Sequence, residues 1–515
     1  MRSSFTSRVF RSFRILVVAS FILVTSSNVA SGSTTVATQA SWSYPNADLS
    51  NTRDASGSTI SLSNVSELTR AWSFTLKGKG AKSVAHTGAL ATTPIVVDGV
   101  VYFQDLHSNV YAVSLEDGKL EWEHEVNKPV KSGPGPNGVA VVDGTLYAMS
   151  PQTAFALNDS TGQEIWIDKK LLKNGQGTFG IQPQVANGRV YLASQYGSAK
   201  GGGVLMALNA ATGHLLWKFN TVLRSDQGVK AVQLGSGGAW DTPLVSPDGS
   251  VTFGIGNPYQ TAASALAHPS SQLYTNSDVN LNAATGKLRW YYQGIPNDFK
   301  DYDMQLSPIL ADVRGTSVVL GGGKMGYVYE MNASTGRLLW KTAVGKHNGH
   351  DNDSLKALEH KSKLKVPFTI LPGSVGGIET NMALAGNTVY VVTCDYAFRV
   401  TNLTQILGVP AGKPTGEVEA LNVATGKVEW DTKVKSLPFG AATVSNNLVF
   451  TTLLSGRLIA LDRATGTIVF NKELPNTTNS PIAIVGNTIL VPAAGPTYGK
   501  GHGLPQLIAY RVPSP

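Results

Sequence analysis

Apolar residues along this chain fall in short runs, and the runs recur in a fixed order. Val100-Val101-Tyr102-Phe103 and Val110-Tyr111-Ala112-Val113 each read as a β-strand, followed by a tight turn at Asp117-Gly118 and a further strand reaching Trp122. The same phrase is clearest in Met206-Ala207-Leu208-Asn209-Ala210-Ala211-Thr212-Gly213-His214-Leu215-Leu216-Trp217. Glycine in the turn supplies the positive φ that the reversal requires, and the Thr, Ser or Asp before it can bond the turn backbone. Each unit is therefore predicted to be a small antiparallel sheet.

Seven of the nine Trp end copies of this phrase: Trp72, Trp122, Trp166, Trp217, Trp290, Trp340 and Trp430. An eighth copy, Ala460-Leu461-Asp462-Arg463-Ala464-Thr465-Gly466, ends in Phe470. Successive anchors from Trp72 to Phe470 lie 50, 44, 51, 73, 50, 90 and 40 residues apart. Four-stranded propeller blades take about 40 to 50 residues, so the two long gaps carry insertions. A Trp at this place packs between neighbouring sheets, burying roughly 150 to 250 Å². One sheet alone would expose both faces, so the units stack radially. The segment ending at Trp72 lacks its own earlier strands, and Gln506-Leu507-Ile508-Ala509-Tyr510-Arg511-Val512 lacks a Trp strand. Pairing the two completes an eighth unit. The fold expected is all-β, an eight-bladed β-propeller with tryptophan-docking repeats, formed by residues 33–515 as one domain.

Residues 1–32 follow another pattern. Arg2, Arg8, Arg11 and Arg14 precede the apolar run Ile15-Leu16-Val17-Val18-Ala19-Ser20-Phe21-Ile22-Leu23-Val24, and small residues follow at Ala30-Ser31-Gly32. That order is a secretory signal peptide, too short and wrongly flanked for a retained span. It places the mature chain outside the cytoplasm, secreted or in the periplasm or cell envelope, with no transmembrane segment after signal removal. Losing four Arg and no acid lowers the formal net charge from +8 to about +4. No Lys/Arg run or RNA-binding signature adds to it, so no nucleic acid partner is expected. Cys394 is the single cysteine, which excludes an intrachain disulfide and a c-type haem attachment motif. Its strand-end setting reads as a buried, inert thiol. Any electron acceptor is then a separate molecule.

With these repeats and their setting the chain resembles the quinoprotein alcohol dehydrogenases, eight-bladed propellers that hold pyrroloquinoline quinone and a metal on the axis. Trp42-Ser43-Tyr44-Pro45-Asn46-Ala47-Asp48-Leu49-Ser50-Asn51-Thr52-Arg53 looks like that family's opening segment. Four places match its site. Gly237-Gly238-Ala239-Trp240-Asp241 looks like the segment whose Trp forms the floor under the quinone, and a planar indole suits a flat cofactor. Phe253-Gly254-Ile255-Gly256-Asn257-Pro258 resembles the glycine-framed Asn that offers oxygen to the metal. Pro296-Asn297-Asp298-Phe299-Lys300-Asp301-Tyr302-Asp303 looks like the segment of the catalytic Asp, here Asp301, whose implied role is general base. Asp303, on the same face of an extended segment, is a candidate extra ligand, since members with such a pair use lanthanide ions. Gly321-Gly322-Gly323-Lys324-Met325-Gly326 resembles the strand presenting a cation, here Lys324, to the quinone oxygens.

The resemblance thus implies Trp240, Asn257 and Lys324 as cofactor-binding, Asp301 as catalytic, and Asn257, Asp301 and Asp303 as ligands of Ca²⁺ or a lanthanide ion. Three departures accompany it. The family's adjacent Cys pair near the quinone cannot exist here. Its metal-ligand Glu would fall in 194–203, which has no acid. An aromatic usually preceding the catalytic Asp is replaced by Lys300, expected to lower the Asp301 pKa if its amine points inward. Outside these matches, Lys346-His347-Asn348-Gly349-His350-Asp351-Asn352-Asp353 has metal-ligand residue types without a motif spacing, and Glu379 and Asn381 precede a strand that turns toward the axis. The function expected is an oxidoreductase acting on a small-molecule or polymeric alcohol, closest to the polyvinyl-alcohol dehydrogenase branch. The alternative is a non-catalytic propeller that binds proteins or glycans.

Overall fold

The repeat unit is a four-stranded antiparallel meander. The first complete one in the chain runs Ile95–Val97, Val100–Gln104, Val110–Ser114 and Leu120–His124, each strand paired with the one before it. The structure is a computed structural model describing residues 41–84, 87–130, 135, 137–198, 201–223, 236–495 and 503–513. The signal segment expected at 1–32 lies outside the described residues. Among those described there are eight such sheets, two of which gain a short fifth strand, Thr178–Phe179 and Phe368–Ile370.

The docking expected from the Trp spacing is present in detail. Each indole N–H donates to a backbone carbonyl in the next sheet's turn, as from Trp72 to Leu115 (2.9 Å), Trp122 to Asp159 (2.7 Å), Trp217 to Ala283 (2.9 Å) and Trp430 to Arg463 (3.0 Å). The ring lies on the turn glycine: a Cβ added at Gly213 would stand 2.5 Å from the Trp166 ring. That glycine also has φ +72°, so it is required twice over. Opposite each Trp the pairing register shifts at one place, as between Ala112 and Val113 or Ala207 and Leu208, and such a bulge turns the outer strand toward its neighbour.

Thr69–Thr75 pairs with Gln506–Arg511, Trp72 standing opposite Ala509. The last sheet is therefore built from both ends of the chain, as expected. Ahead of it the segment from Trp42 crosses several sheets: Trp42 exchanges hydrogen bonds with Val96, Leu310 N–H donates to Ser50, Leu384 to Thr52, and Thr59 to Gly486. Arg53 is wholly buried and donates to the carbonyls of Ala442 and Ile482 and to Thr443. The two long gaps hold the insertions. One carries the helix Ala262–Ala267, the other the helix Asp353–Leu358, and both pack on Phe299 through Ala262, Ala265 and Ala357.

Candidate functional site

Three chain segments are laced side by side at one place. Lys324 N–H donates to the Asp303 carbonyl (3.0 Å), and Ile378 N–H to the Gly323 carbonyl (3.1 Å). Gly323 permits this approach, since a Cβ there would lie 1.9 Å from the Asp303 oxygen. A fourth segment joins through Asn257, whose backbone N–H donates to Asp303 Oδ1 (2.6 Å). Gly256 is needed beside it, because a Cβ would meet Asp303 Oδ1 at 2.6 Å and Trp240 Nε1 at 2.9 Å. The glycines framing these motifs therefore serve close packing at the site.

The side chains converge accordingly. The Lys324 ammonium lies 3.0 Å from Asp301 Oδ2 and 2.7 Å from Asp303 Oδ2, and the Asn257 amide nitrogen donates to Asp301 Oδ1. Burial works against the ammonium, but the two carboxylates outweigh it and hold the Lys324 pKa well above its ordinary value. Burial pushes Asp301 up to about 7, opposed by Lys324 and reinforced by Asp303. The Asn257 side-chain oxygen accepts from Tyr259 N–H (3.0 Å), so in this arrangement the amide turns its nitrogen, not its oxygen, to the carboxylates.

Trp240, Asp303 and Lys324 line a cavity of about 370 Å³, together with Tyr196, Tyr259 and Glu379. The edge of one ring meets the face of the other between Tyr196 and Trp240, at 4.8 Å and 90°. Trp240 Nε1, Gln305 Oε1 and Glu379 Oε1 are buried there without a hydrogen-bond partner, as in a wall that meets the polar groups of an occupant. Burial raises Glu379 to about 8, opposed by Lys324 and reinforced by Asp301 and Asp303. Asn381 also lines the cavity but is committed, accepting from Ser307 N–H (2.9 Å) and donating to Asp241 (3.3 Å).

Of the five residues singled out by the motifs, Trp240, Asp303 and Lys324 line the cavity, and Asn257 and Asp301 stand behind them, bonded to Asp303 and Lys324 and to each other. Tyr196 and Tyr259 were missed; each stands at positive φ (+58° and +50°) in a loop, where no periodicity marks it. Lys300 differs from expectation. Its amine points away from Asp301, to Asp353 Oδ2 (3.3 Å) and the His350 carbonyl, because an insertion fifty residues on supplies a carboxylate there. The His and Asp residues of 347–353 pair among themselves, His347 with Asp351 (2.6 Å) and His350 with Asp353 (2.7 Å). Cys394 is buried, and burial raises its thiol pKa well above the ordinary value.

Tryptophan-docked four-stranded sheets around a cavity lined by an ion-pair network define a β-propeller with a buried polar site. The chain belongs to the pyrroloquinoline-quinone dehydrogenases: the family model described as "Glucose/ethanol/alcohol dehydrogenase, beta-propeller domain" matches residues 42–141 and 175–346, just over half of it. A second model, "Outer membrane protein assembly factor BamB", matches residues 414–504. The chain is 30% identical to quinohemoprotein alcohol dehydrogenase ADH-IIG of Pseudomonas putida over 54% of its own length and 42% of that protein. It is 25% identical to quinoprotein alcohol dehydrogenase PedH of Pseudomonas putida KT2440 over 79% of its length and 77% of PedH. The structure of a europium-containing methanol dehydrogenase superposes with a TM-score of 0.74 at 18% identity, covering 92% of this chain and 98% of that one. Among the described residues no helix is long and apolar enough to cross a membrane.

Proposed function

We propose that the chain is an exported oxidoreductase that oxidises an alcohol by hydride transfer to non-covalently bound pyrroloquinoline quinone. In this reading residues 1–32 are removed as a signal peptide, and 33–515 form an eight-bladed propeller working in the periplasm or cell envelope or as a secreted protein. The observation that carries the proposal is the network joining Asp301, Asp303, Lys324 and Asn257, of which Asp303 and Lys324 line the cavity together with Trp240.

Asp301 takes the proton of the substrate hydroxyl. Its two oxygens are held by Asn257 and Lys324, so the carboxylate is oriented before substrate arrives, and a pKa near 7 suits a base at neutral pH. Lys324 opposes negative charge on the oxygens of the cofactor. Trp240 offers a flat face to it. A quinone held there would supply the hydride acceptor, and a hard cation held by the carboxylates would supply a Lewis acid for the alcohol oxygen.

Asp301 and Asp303 would hold Ca²⁺ or a lanthanide ion by donor type, with Asn257 joining if its amide turns over. With no acid in 194–203, Asp303 is the residue that supplies the second carboxylate. Substrates are small-molecule or polymeric alcohols, as in the polyvinyl-alcohol dehydrogenase branch, and electrons leave to a separate acceptor.

The test is titration of the purified chain with the quinone plus Ca²⁺ or, separately, La³⁺, followed by alcohol-driven dye reduction. Saturable binding with turnover abolished in Asp301→Ala is expected. A chain that binds no quinone with either metal would favour the interaction scaffold suggested by the assembly-factor match at 414–504.

A further inference from the structure

Asp301 stands at φ +65°, in the left-handed region. For a residue with a Cβ that conformation is uncommon, and it persists where the surroundings impose it. Its neighbours show what imposes it.

The buried Asp298 carboxylate accepts the backbone N–H of Lys300 (3.0 Å) and of Tyr302 (2.9 Å), tying the residues on either side of Asp301 to one group. The flanking side chains all leave in other directions. Asn297 donates to the carbonyls of Ala265 (3.2 Å) and Ser354 (3.5 Å). Phe299 packs with Ala262, Ala265 and Ala357. Tyr302 OH donates to the Pro372 carbonyl (2.6 Å). Lys300, only 2% exposed, has its ammonium 5.6 Å and 5.3 Å from the ring centres of Phe299 and Tyr302 and ends on Asp353 and the His350 carbonyl. His350 Nδ1 lies 2.7 Å from the same Asp353 oxygen. Asp301 alone of this group is ion-paired with Lys324, which lines the cavity.

We infer that Lys300 is a positioning residue for Asp301, and that the insert 346–372 is the clamp through which it acts, an inference that rests on Asp301 serving as the base. A buried ammonium is expensive to desolvate and adds little net stability even when paired. What the pair does supply is a fixed direction: it draws the peptide before Asp301 toward the insert, so the Asp301 side chain is presented to the opposite side. The role is mechanical, since the charge of Lys300 is already spent on Asp353.

The test compares the quinone- and metal-loaded enzyme with Lys300→Met, Asp353→Leu and the double variant, reading Tm, quinone Kd, KM and kcat. Lys300→Met takes the buried ammonium away from Asp353 and leaves that carboxylate to His350 and Lys356, so its Tm falls. In the double variant neither charge remains and the Tm returns toward wild type. Its kcat stays at least about tenfold below wild type, because a base misplaced by about 1 Å loses rate on the order of 100-fold, while KM and quinone Kd stay within about twofold. A double variant that regains kcat together with Tm would show plain packing and overturn the inference. So would a kcat that is unchanged in Lys300→Met. A wild-type chain that binds quinone yet oxidises no alcohol would sink the functional reading itself, and this inference with it.

Discussion

At the scale of single residues the site is a balance of charges among largely buried groups. Two carboxylates share one ammonium, and Asp301 sits near pH 7 because burial raises it more than Lys324 lowers it. Replacing Lys324 by Met removes the lowering influence and leaves Asp303 as an unopposed repulsion. The Asp301 pKa then rises, so less of it is ionised at a given pH. The titration of this carboxyl, followed by infrared difference spectroscopy across pH in the metal-free chain, is expected to move upward by about one unit or more. A titration that stays in place would mean that Lys324 does not hold the carboxyl down. The segments that meet here were legible through the family resemblance, and the structure gives their glycines a reason: Gly256, Gly323 and Gly238 before Trp240 are small where backbones or carboxylates approach. What stayed hidden depends on long-range placement. Nothing near Lys300 announces Asp353, and the direction of that amine is decided by an insert that the local pattern cannot locate.

At the scale of elements the recurring device is an indole laid on a glycine of the next sheet. Gly213→Ala therefore meets two obstacles, the left-handed backbone at φ +72° and the Trp166 ring at 2.5 Å. Gly188, at φ +69° with nothing within 4 Å of its Cβ position, meets only the first. The control Gly188→Ala is expected to cost about 1 to 2 kcal/mol and Gly213→Ala about 1 to 3 kcal/mol more, measured by denaturant unfolding. Equal losses would show that the ring contact adds nothing. The same sheets bury acids. Glu330, opposite Trp340, and Glu419, bonded by Thr393, are both pushed by burial from 4.5 to about 7. Folding strengthens their hold on the proton, so their stabilising effect is complete below about pH 4.5 and is lost as pH rises through about 7. The double variant Glu330→Gln, Glu419→Gln should show a Tm that falls less between about pH 5 and pH 8 than that of the wild type. A slope unchanged by the substitutions would assign the pH dependence to other groups.

At the scale of the molecule the question is how a row of sheets closes, and the one irregular repeat answers it. Each of the seven docking Trp lies on a turn that joins the third and fourth strands of the next sheet. The sheet after Phe470 has no such turn, because its third strand, Gln506–Arg511, and its fourth, Thr69–Thr75, come from opposite ends of the chain. An indole there would find neither the turn glycine nor the carbonyl that receives its N–H. Phenylalanine, which needs no acceptor, fills the position and packs on the core shared by the first, last and closing sheets. The number of units and the pairing of the two ends were readable from spacing alone, since both follow from counting repeats. The fastening of the segment from Trp42 to Ile60 across five sheets was not, because it rests on backbone hydrogen bonds and on the buried side chains of Asn51 and Arg53, whose partners lie hundreds of residues further along the chain. Closure makes a sharp prediction. Deleting residues 506–515 leaves Thr69–Thr75 with no partner and opens the core that holds Trp72, Phe103 and Ile489. The shortened chain is expected to lose the single cooperative thermal transition and to expose strand edges that associate, seen as early, broad melting with light scattering. A truncated chain that melts once, at the wild-type temperature, would mean that the Trp72 strand is held without its partner and that the seven indole contacts alone stabilise the fold.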